Sequence, residues 1–280
     1  MTQSAAARTA AEIPRARSKR RRFFDSRVPG VVLLLALLCL WEASARSGLV
    51  ESVNWPPFSA VVASLVAGLL DGELLPVVLS TLWRMARGYA IGCAVGVAIG
   101  AAIALSRPLR LLLQPTIELL RPVPIPAIIP PLVFLLGLDD RLRIFSIAFA
   151  SFFPVALNTH AGVRAVEPIY HQVARTFGVP HLASLRRVVF PAALPFILAG
   201  LRTSLGIAFV VTVIAEMIVG QEGLGYYLVT MQFAMRAPEM YAGILLLTCV
   251  AYLLNRAFVA WEARAIRWAR LVETMQEGAR

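Results

Sequence analysis

The chain has 280 residues, of which 59% are hydrophobic and only 15% charged, and its mean hydropathy is +0.73. So little polar surface cannot coat a water-soluble domain of this size, which places the chain in a bilayer. A formal charge of +11 raises nucleic acid as a partner. The basic residues, however, sit in one N-terminal cluster and between apolar runs, with no aromatics interleaved on a polar face, and that pattern argues against nucleic acid.

About 20 apolar residues cross the hydrocarbon as a helix. By that measure the chain reads as an all-α, polytopic membrane protein with spans near 29–46, 86–106, 117–137, 143–161, 196–219 and 240–260. Loop charge orients them. The tail 1–28 carries Arg15, Arg17, Lys19, Arg20, Arg21, Arg22 and Arg27, and such clusters stay cytoplasmic. Six spans return the tail 263–280, with Arg264, Arg267 and Arg270, to the same side. Arg107, Arg110, Arg164, Arg175, Arg186 and Arg187 then fall in cytoplasmic loops, whereas residues 47–83, on the outside, contain no Lys or Arg. Arg141, Arg143 and Arg236 are the exceptions, accompanied by Asp139, Asp140 and Glu239.

The first span has a second reading. A basic start, the core VVLLLALLCL and Ala43-Ser44-Ala45 also describe a cleavable secretory signal, and Arg20-Arg21-Arg22 before Phe23-Phe24 resembles a twin-arginine signal.

The outside segment 47–83 contains FSAVVASLVAGLL and leads into ELLPVVLSTLWRMARG. Their apolar residues fall on one side of a helical wheel, with Asp71, Glu73, Arg84 and Arg87 elsewhere, as in a helix lying on the membrane surface. In the second span Gly88, Gly92, Gly96 and Gly100 recur every fourth residue. They form a groove that admits a close neighbour, either a helix of the same subunit or one across a dimer contact.

The third span begins RPVPIPAIIPPLVF. Pro122, Pro124, Pro126, Pro130 and Pro131 remove backbone donors and forbid a straight helix, which leaves carbonyls for water, a side chain or a solute. Broken helices at membrane depth are tolerated where they are buried or line an aqueous cavity. Pro124, Pro126 and Pro130 are therefore candidate pathway residues. Asn158 in the fourth span joins them, as does Glu216, the one carboxylate well inside an apolar helix. The alternative for Glu216 is interhelical glue.

Cys39, Cys93 and Cys249 lie inside apolar runs, as small packing residues do. No metal site or cofactor is implied. A P-loop needs G-x-x-x-x-G-K-[ST], and the single lysine, Lys19, follows no glycine loop. Nor does any Ser-His-Asp, H-E-x-x-H or paired-cysteine constellation appear, so the chain reads as a non-enzyme. An ion-gradient-driven carrier stays open as an alternative, although Glu216 alone is a thin proton relay. The energy for transport is expected from another chain.

The loop QVARTFGVPHLASLRRVVFP suggests how that energy arrives. Glu167-Pro168 can start a short helix, and Gly178 can end it in the left-handed conformation. HLASLRRVVF then forms a second short helix, with Pro191 and Pro195 breaking the chain before the next span. The result is a basic knob that a soluble partner could grip.

This loop resembles the cytoplasmic signature of ABC importer permeases: E-A-A, a glycine three residues on, then nine residues and I-x-L-P. Gln172-Val173-Ala174 stands at E-A-A, Gly178 is the glycine, and Val188-Val189-Phe190-Pro191 occupies I-x-L-P. Gln172 and Val173 depart from the pattern. RPVPIPAIIPPLVFLLGL, FFPVALNTHAGV, PAALPFILAGLR, AEMI and GQEGLGYYL are similar to the branch that imports sulfonates, taurine, nitrate or bicarbonate, whose close relatives carry aromatic cofactor precursors.

The resemblance implies a homodimeric inner-membrane permease that works with cytoplasmic ATP-binding subunits and an external solute-binding protein. Its five-span core would cover 84–262, with the coupling loop at 162–195. Gln172, Val173, Ala174, Arg175, Gly178, Arg186, Arg187, Val188 and Pro191 would form the ATPase dock.

Overall fold

The computed structural model describes residues 28–48 and 54–266, apart from the side chains of Pro168, His171, Ala174, Arg175 and His181. The N-terminal basic cluster, Arg267 and Arg270 lie outside the described residues. The chain divides into two compact bodies, residues 1–60 and 61–280.

In the first body, α1 (Val28–Arg46) is apolar through most of its length and buries none of its residues. Its C-terminal turn is tied to the segment that follows. Trp41 Nε1 donates to the Pro56 carbonyl at 3.1 Å. The Glu42 carboxylate accepts from the Ser59 amide at 3.0 Å and from its hydroxyl at 2.8 Å. The Trp41 ring lies 5.5 Å from Trp55 and 5.4 Å from Phe58, so aromatics and a carboxylate together fix this end.

After α2 (Phe58–Leu70), a turn with Gly72 at φ +77° leads into α3 (Leu74–Leu105), an unbroken helix of 32 residues. The segment ELLPVVLSTLWRMARG, expected to lie on the membrane surface and to feed the second span, is continuous with that span: residues 74–87 are the first turns of the same helix. Pro76 falls in the first turn, where a missing N–H costs nothing, and no other residue interrupts the helix.

The core of the second body is α3 packed on α6 (Asp140–Arg164), with α9 (Phe190–Val219) packed on both. The glycine repeat of α3 faces α6. Gly88 meets Ile147, Gly92 meets Ala148 and Ser151, Gly96 meets Val155, and Gly100 meets Ala156 and Thr159. A Cβ added at Gly96 would stand 2.9 Å from Val155 Cβ, closer than carbon atoms approach without displacement. Polar ties cross the same bundle: Ser204 Oγ donates to the Ser151 carbonyl and Tyr89 Oη to the Leu201 carbonyl, each at 2.9 Å. One apolar cluster gathers Met85, Ile147, Ala150, Ala208 and Val211, and another gathers Val163, Val189, Ala193 and Ile197.

The third span is not one helix. α4 (Arg107–Leu120) and α5 (Ile125–Leu136) meet at 102° across Arg121–Pro124. Pro122 and Pro124 supply no N–H to continue the ladder, and Pro124 takes an extended ψ of 121° as the N-cap of α5. Pro130 and Pro131 lie inside α5 without ending it. Among the described residues five helices are long and apolar enough to cross a bilayer, or six if the bent pair is one span.

Between α6 and α9 run α7 (Pro168–Thr176), α8 (His181–Ser184) and a π-helical turn, Leu185–Val189, that passes straight into α9. The expected break at Pro191 and Pro195 is therefore absent. The Phe190 amide reaches back to the Leu185 carbonyl, and such widening of the helix just before Pro191 makes room for the ring that would clash with a regular α turn. α9 ends at Gly220, and the turn through Gly223, at φ +108°, starts α10 (Leu224–Phe233). α11 (Ala237–Ala265) packs on α9 and α10.

Candidate functional site

The bend between α4 and α5 opens a cavity of about 510 Å³ against the middle of α6 and α9. Arg121, Val123 and Ile125 come from the bend, Ala150, Phe153, Pro154, Leu157 and Asn158 from α6, and Thr203 and Ile207 from α9. Among the described residues the wall is apolar except for one cation, one amide and one hydroxyl. Asn158 Nδ2 donates to the Pro154 carbonyl at 2.8 Å, the bond to the carbonyl one turn back that short polar side chains make within a helix. The Thr203 hydroxyl donates to the Ala199 carbonyl at 3.0 Å in the same way. Among the described residues no carboxylate or histidine lines this space.

Of the pathway residues named from sequence, Asn158 stands on this wall. Pro124 is flanked by two lining residues, Val123 and Ile125, while Pro126 and Pro130 lie further along α5.

Glu216 is elsewhere, 1% exposed, in a polar cluster at the other end of α9. Its Oε2 accepts from the Thr81 hydroxyl at 2.9 Å and from the Gly225 amide at 3.1 Å, and its Oε1 lies 3.4 Å from Arg84 Nη1. Arg84 is 2% exposed. It also donates through Nε to Asp140 at 2.6 Å and through Nη2 to the Glu222 carboxylate. Arg143 Nη2 reaches Asp140 at 2.8 Å. The Leu224 amide completes the set by donating to Thr81 Oγ1 at 2.8 Å. Four elements are thus clasped by one guanidinium and one carboxylate, an arrangement in which each charge is paired and hydrogen-bonded as burial requires.

The sequence pattern sets Arg84 apart from the apolar face as a surface charge and gives Thr81 no prominence. A signal is present all the same, since Thr81, Arg84 and Gly88 share one helical face with the rest of the glycine row. Arg121 carries no such signal, because the start of a span is where arginines ordinarily sit.

The loop between α6 and α9 holds the remaining residues. α7 runs from Pro168 to Thr176, and Gly178 follows at φ +64° with nothing within 4 Å of where a Cβ would stand. Gln172, Val173, Phe177, Arg186 and Arg187 are exposed, and Val188 is half-buried. The side chains of Ala174 and Arg175 lie outside the described residues. Pro191 is in the first turn of α9. The elbow is therefore an exposed turn in the connection between the two helices that supply most of the cavity wall.

These features belong to a membrane-embedded transport subunit, and the comparisons with known proteins agree. Residues 94–268 match the family described as binding-protein-dependent transport system inner membrane component. SsuC of Bacillus subtilis (strain 168), named for transport of aliphatic sulfonates, is 30% identical over 95% of this chain and 96% of its own length. The taurine transport system permease protein TauC of Escherichia coli (strain K12) is 32% identical over 84% of this chain and 87% of its own. The bicarbonate transport system permease protein CmpB of Synechococcus elongatus is 27% identical over 90% and 94%. Among solved structures, an inward-facing MetNI methionine ABC transporter chain aligns with a TM-score of 0.61 at 17% identity, over 70% of this chain and 97% of that one. That likeness establishes the shared fold. The chain belongs to the family of binding-protein-dependent inner-membrane transport components, as the loop signature implied.

Proposed function

We propose that the chain is the translocation subunit of an ATP-driven importer for a small oxyanion of the aliphatic sulfonate, taurine, nitrate or bicarbonate class. Two copies would form the pathway, and cytoplasmic ATP-binding subunits would drive it with solute delivered by an external binding protein. Both tails are assigned to the cytoplasm by their basic residues.

The observation that carries this reading is the connection between elbow and cavity. α7 and the residues around Gly178 join the end of α6 to the start of α9, and those two helices hold Asn158 and Thr203 against the cavity. A partner that tilts the elbow moves both walls as levers, since packed helices shift as rigid bodies more readily than they bend. The chain itself supplies no bond chemistry. Its task is to alternate the exposure of the cavity, with the energy entering at the elbow.

The test is uptake into liposomes containing the chain with its ATP-binding subunits and binding protein. Labelled taurine, ethanesulfonate, nitrate and bicarbonate are offered separately. Uptake of at least one should require ATP and survive ionophores that collapse ion gradients. Uptake driven by an ion gradient without ATP would contradict the reading.

A further inference from the structure

Arg121 is a charge that neither the elbow nor the polar cluster uses. It stands at the bend between α4 and α5, on the wall of the cavity, and its guanidinium makes no ion pair among the described residues. The nearest carboxylate in sequence, Glu118, accepts instead from Gln114 Nε2 at 2.8 Å.

The depth of this site makes a bare cation informative. Its α6 lining lies about 15–27 Å along the helix from Asp140, and its α9 lining about 20–26 Å from Phe190, taking 1.5 Å per residue. That is the middle of both spans, and Arg121, exposed at the bend, borders the cavity at this level, where an ionisable side chain marks a route for water, ions or solutes. Every other polar group on the wall is neutral.

The hydrogen-bonding capacity is asymmetric too. Arg121 offers five N–H donors in a planar fork that fits two oxygens of one oxyanion. Among the described residues Asn158 retains one free N–H after bonding Pro154. Phe153, Leu157 and Ile207 present apolar surface beside these donors. A group with two acceptor oxygens, one negative charge and a short apolar tail meets complementary chemistry on each side. A cation meets the repulsion of Arg121, offset only by the neutral oxygens of Asn158 and Thr203.

We infer that Arg121 is the residue that makes this cavity selective for anions, holding a solute's oxyanion group bidentately while Asn158 donates a further hydrogen bond. The inference rests on the reading of the cavity as the solute route. It adds that discrimination by charge is built into the permease itself as well as into any partner that delivers the solute.

The test measures the charge preference of the cavity directly and needs no knowledge of the cargo. In a full-length chain with Cys39, Cys93 and Cys249 replaced by serine, Ile207→Cys places one thiol on the wall. Its reaction rates with the anionic reagent 2-sulfonatoethyl methanethiosulfonate and the cationic reagent 2-(trimethylammonium)ethyl methanethiosulfonate are compared in membranes. Arg121→Gln should lower the anion-to-cation rate ratio about tenfold, as expected for loss of one charge at short range in a medium less polarisable than water, and Arg121→Glu should lower it further. Arg121→Lys should keep the ratio within about twofold of the parent's, since it keeps the charge, which separates loss of charge from loss of fold.

A ratio unchanged in Arg121→Gln and Arg121→Glu, with Ile207→Cys still reactive, would overturn the inference and leave the solute route standing. No reaction with either reagent would overturn both. If the ratio follows the charge at position 121 while the complex takes up solute without ATP, the inference stands and the importer reading falls.

Discussion

The Thr81 hydroxyl donates to Glu216 Oε2 at 2.9 Å across 135 residues of chain, fastening the start of α3 to the end of α9. The same hydroxyl oxygen accepts from the Leu224 amide at 2.8 Å, so this threonine joins Glu216 and Arg84 in holding the turn into α10. With Arg84 alongside, this clasp closes one end of the α3–α6–α9 bundle, away from the cavity and away from the elbow.

Breaking the clasp on one side should therefore be expensive. Glu216→Ala leaves Arg84 its partners Asp140 and Glu222, but it strands the buried Gly225 amide and empties the volume of a fully buried side chain, so it should cost more than the loss of one hydrogen bond. Thr81→Val loses a neutral donor and strands the Leu224 amide, about 1–3 kcal/mol. Thermal unfolding of the purified chain in detergent should rank Glu216→Ala below Thr81→Val and both below the parent. Equal melting temperatures would contradict the energetic role of the cluster.

Arg143 offers a contrast. Its Nη2 pairs with Asp140, but its buried Nε and Nη1 have no hydrogen-bond partner among the described residues. A half-satisfied buried guanidinium contributes little against an apolar side chain of similar length. Arg143→Met should change stability by less than about 1 kcal/mol, measured in the same unfolding experiment. A loss as large as that of Glu216→Ala would show that Arg143 carries the cluster instead.

The glycine seam between α3 and α6 predicts a steric effect. A leucine at Gly96 must displace Val155, since even a Cβ there would stand 2.9 Å from Val155 Cβ, and overpacking a filled interface costs about 1–3 kcal/mol or more. Gly96→Leu should lower the melting temperature and reduce the folded yield, whereas Gly206→Ala, with nothing within 4 Å of its added carbon, should be tolerated. Similar yields for the two variants would contradict the seam.

Local signals are readable from sequence where the physics is local. A glycine every fourth residue puts Gly88, Gly92, Gly96 and Gly100 on one face, and a glycine after Thr176 and Phe177 marks a helix end, as the φ of +64° at Gly178 requires. The membrane class and the family signature are legible for the same reason.

What is not legible depends on partners far along the chain. Arg84 looks like a solvated charge on a surface helix because its carboxylate at Glu216 is 132 residues away. The helix start at Leu74 is hidden by a charged and glycine-containing prelude. Pro191 and Pro195 predict a break, yet a π turn at Leu185–Val189 absorbs the proline within a continuous helix. Composition along the third span cannot distinguish one kinked helix from two helices meeting at 102°. Arg121 acquires its meaning only from that bend.

The central claim is that the elbow between α6 and α9 transmits energy from an ATP-hydrolysing partner to the cavity, and Gly178→Val tests it most directly. At φ +64° an L-residue incurs about 1–2 kcal/mol of strain, more for a β-branched one. Valine should therefore turn α7 away from α8 without touching the spans, whose insertion follows hydropathy and loop charge. The measurement is solute-stimulated ATP hydrolysis by the reconstituted complex, normalised to the amount of chain in the membrane. The account predicts normal membrane levels with stimulation reduced at least tenfold; normal levels with full stimulation and full uptake would contradict it.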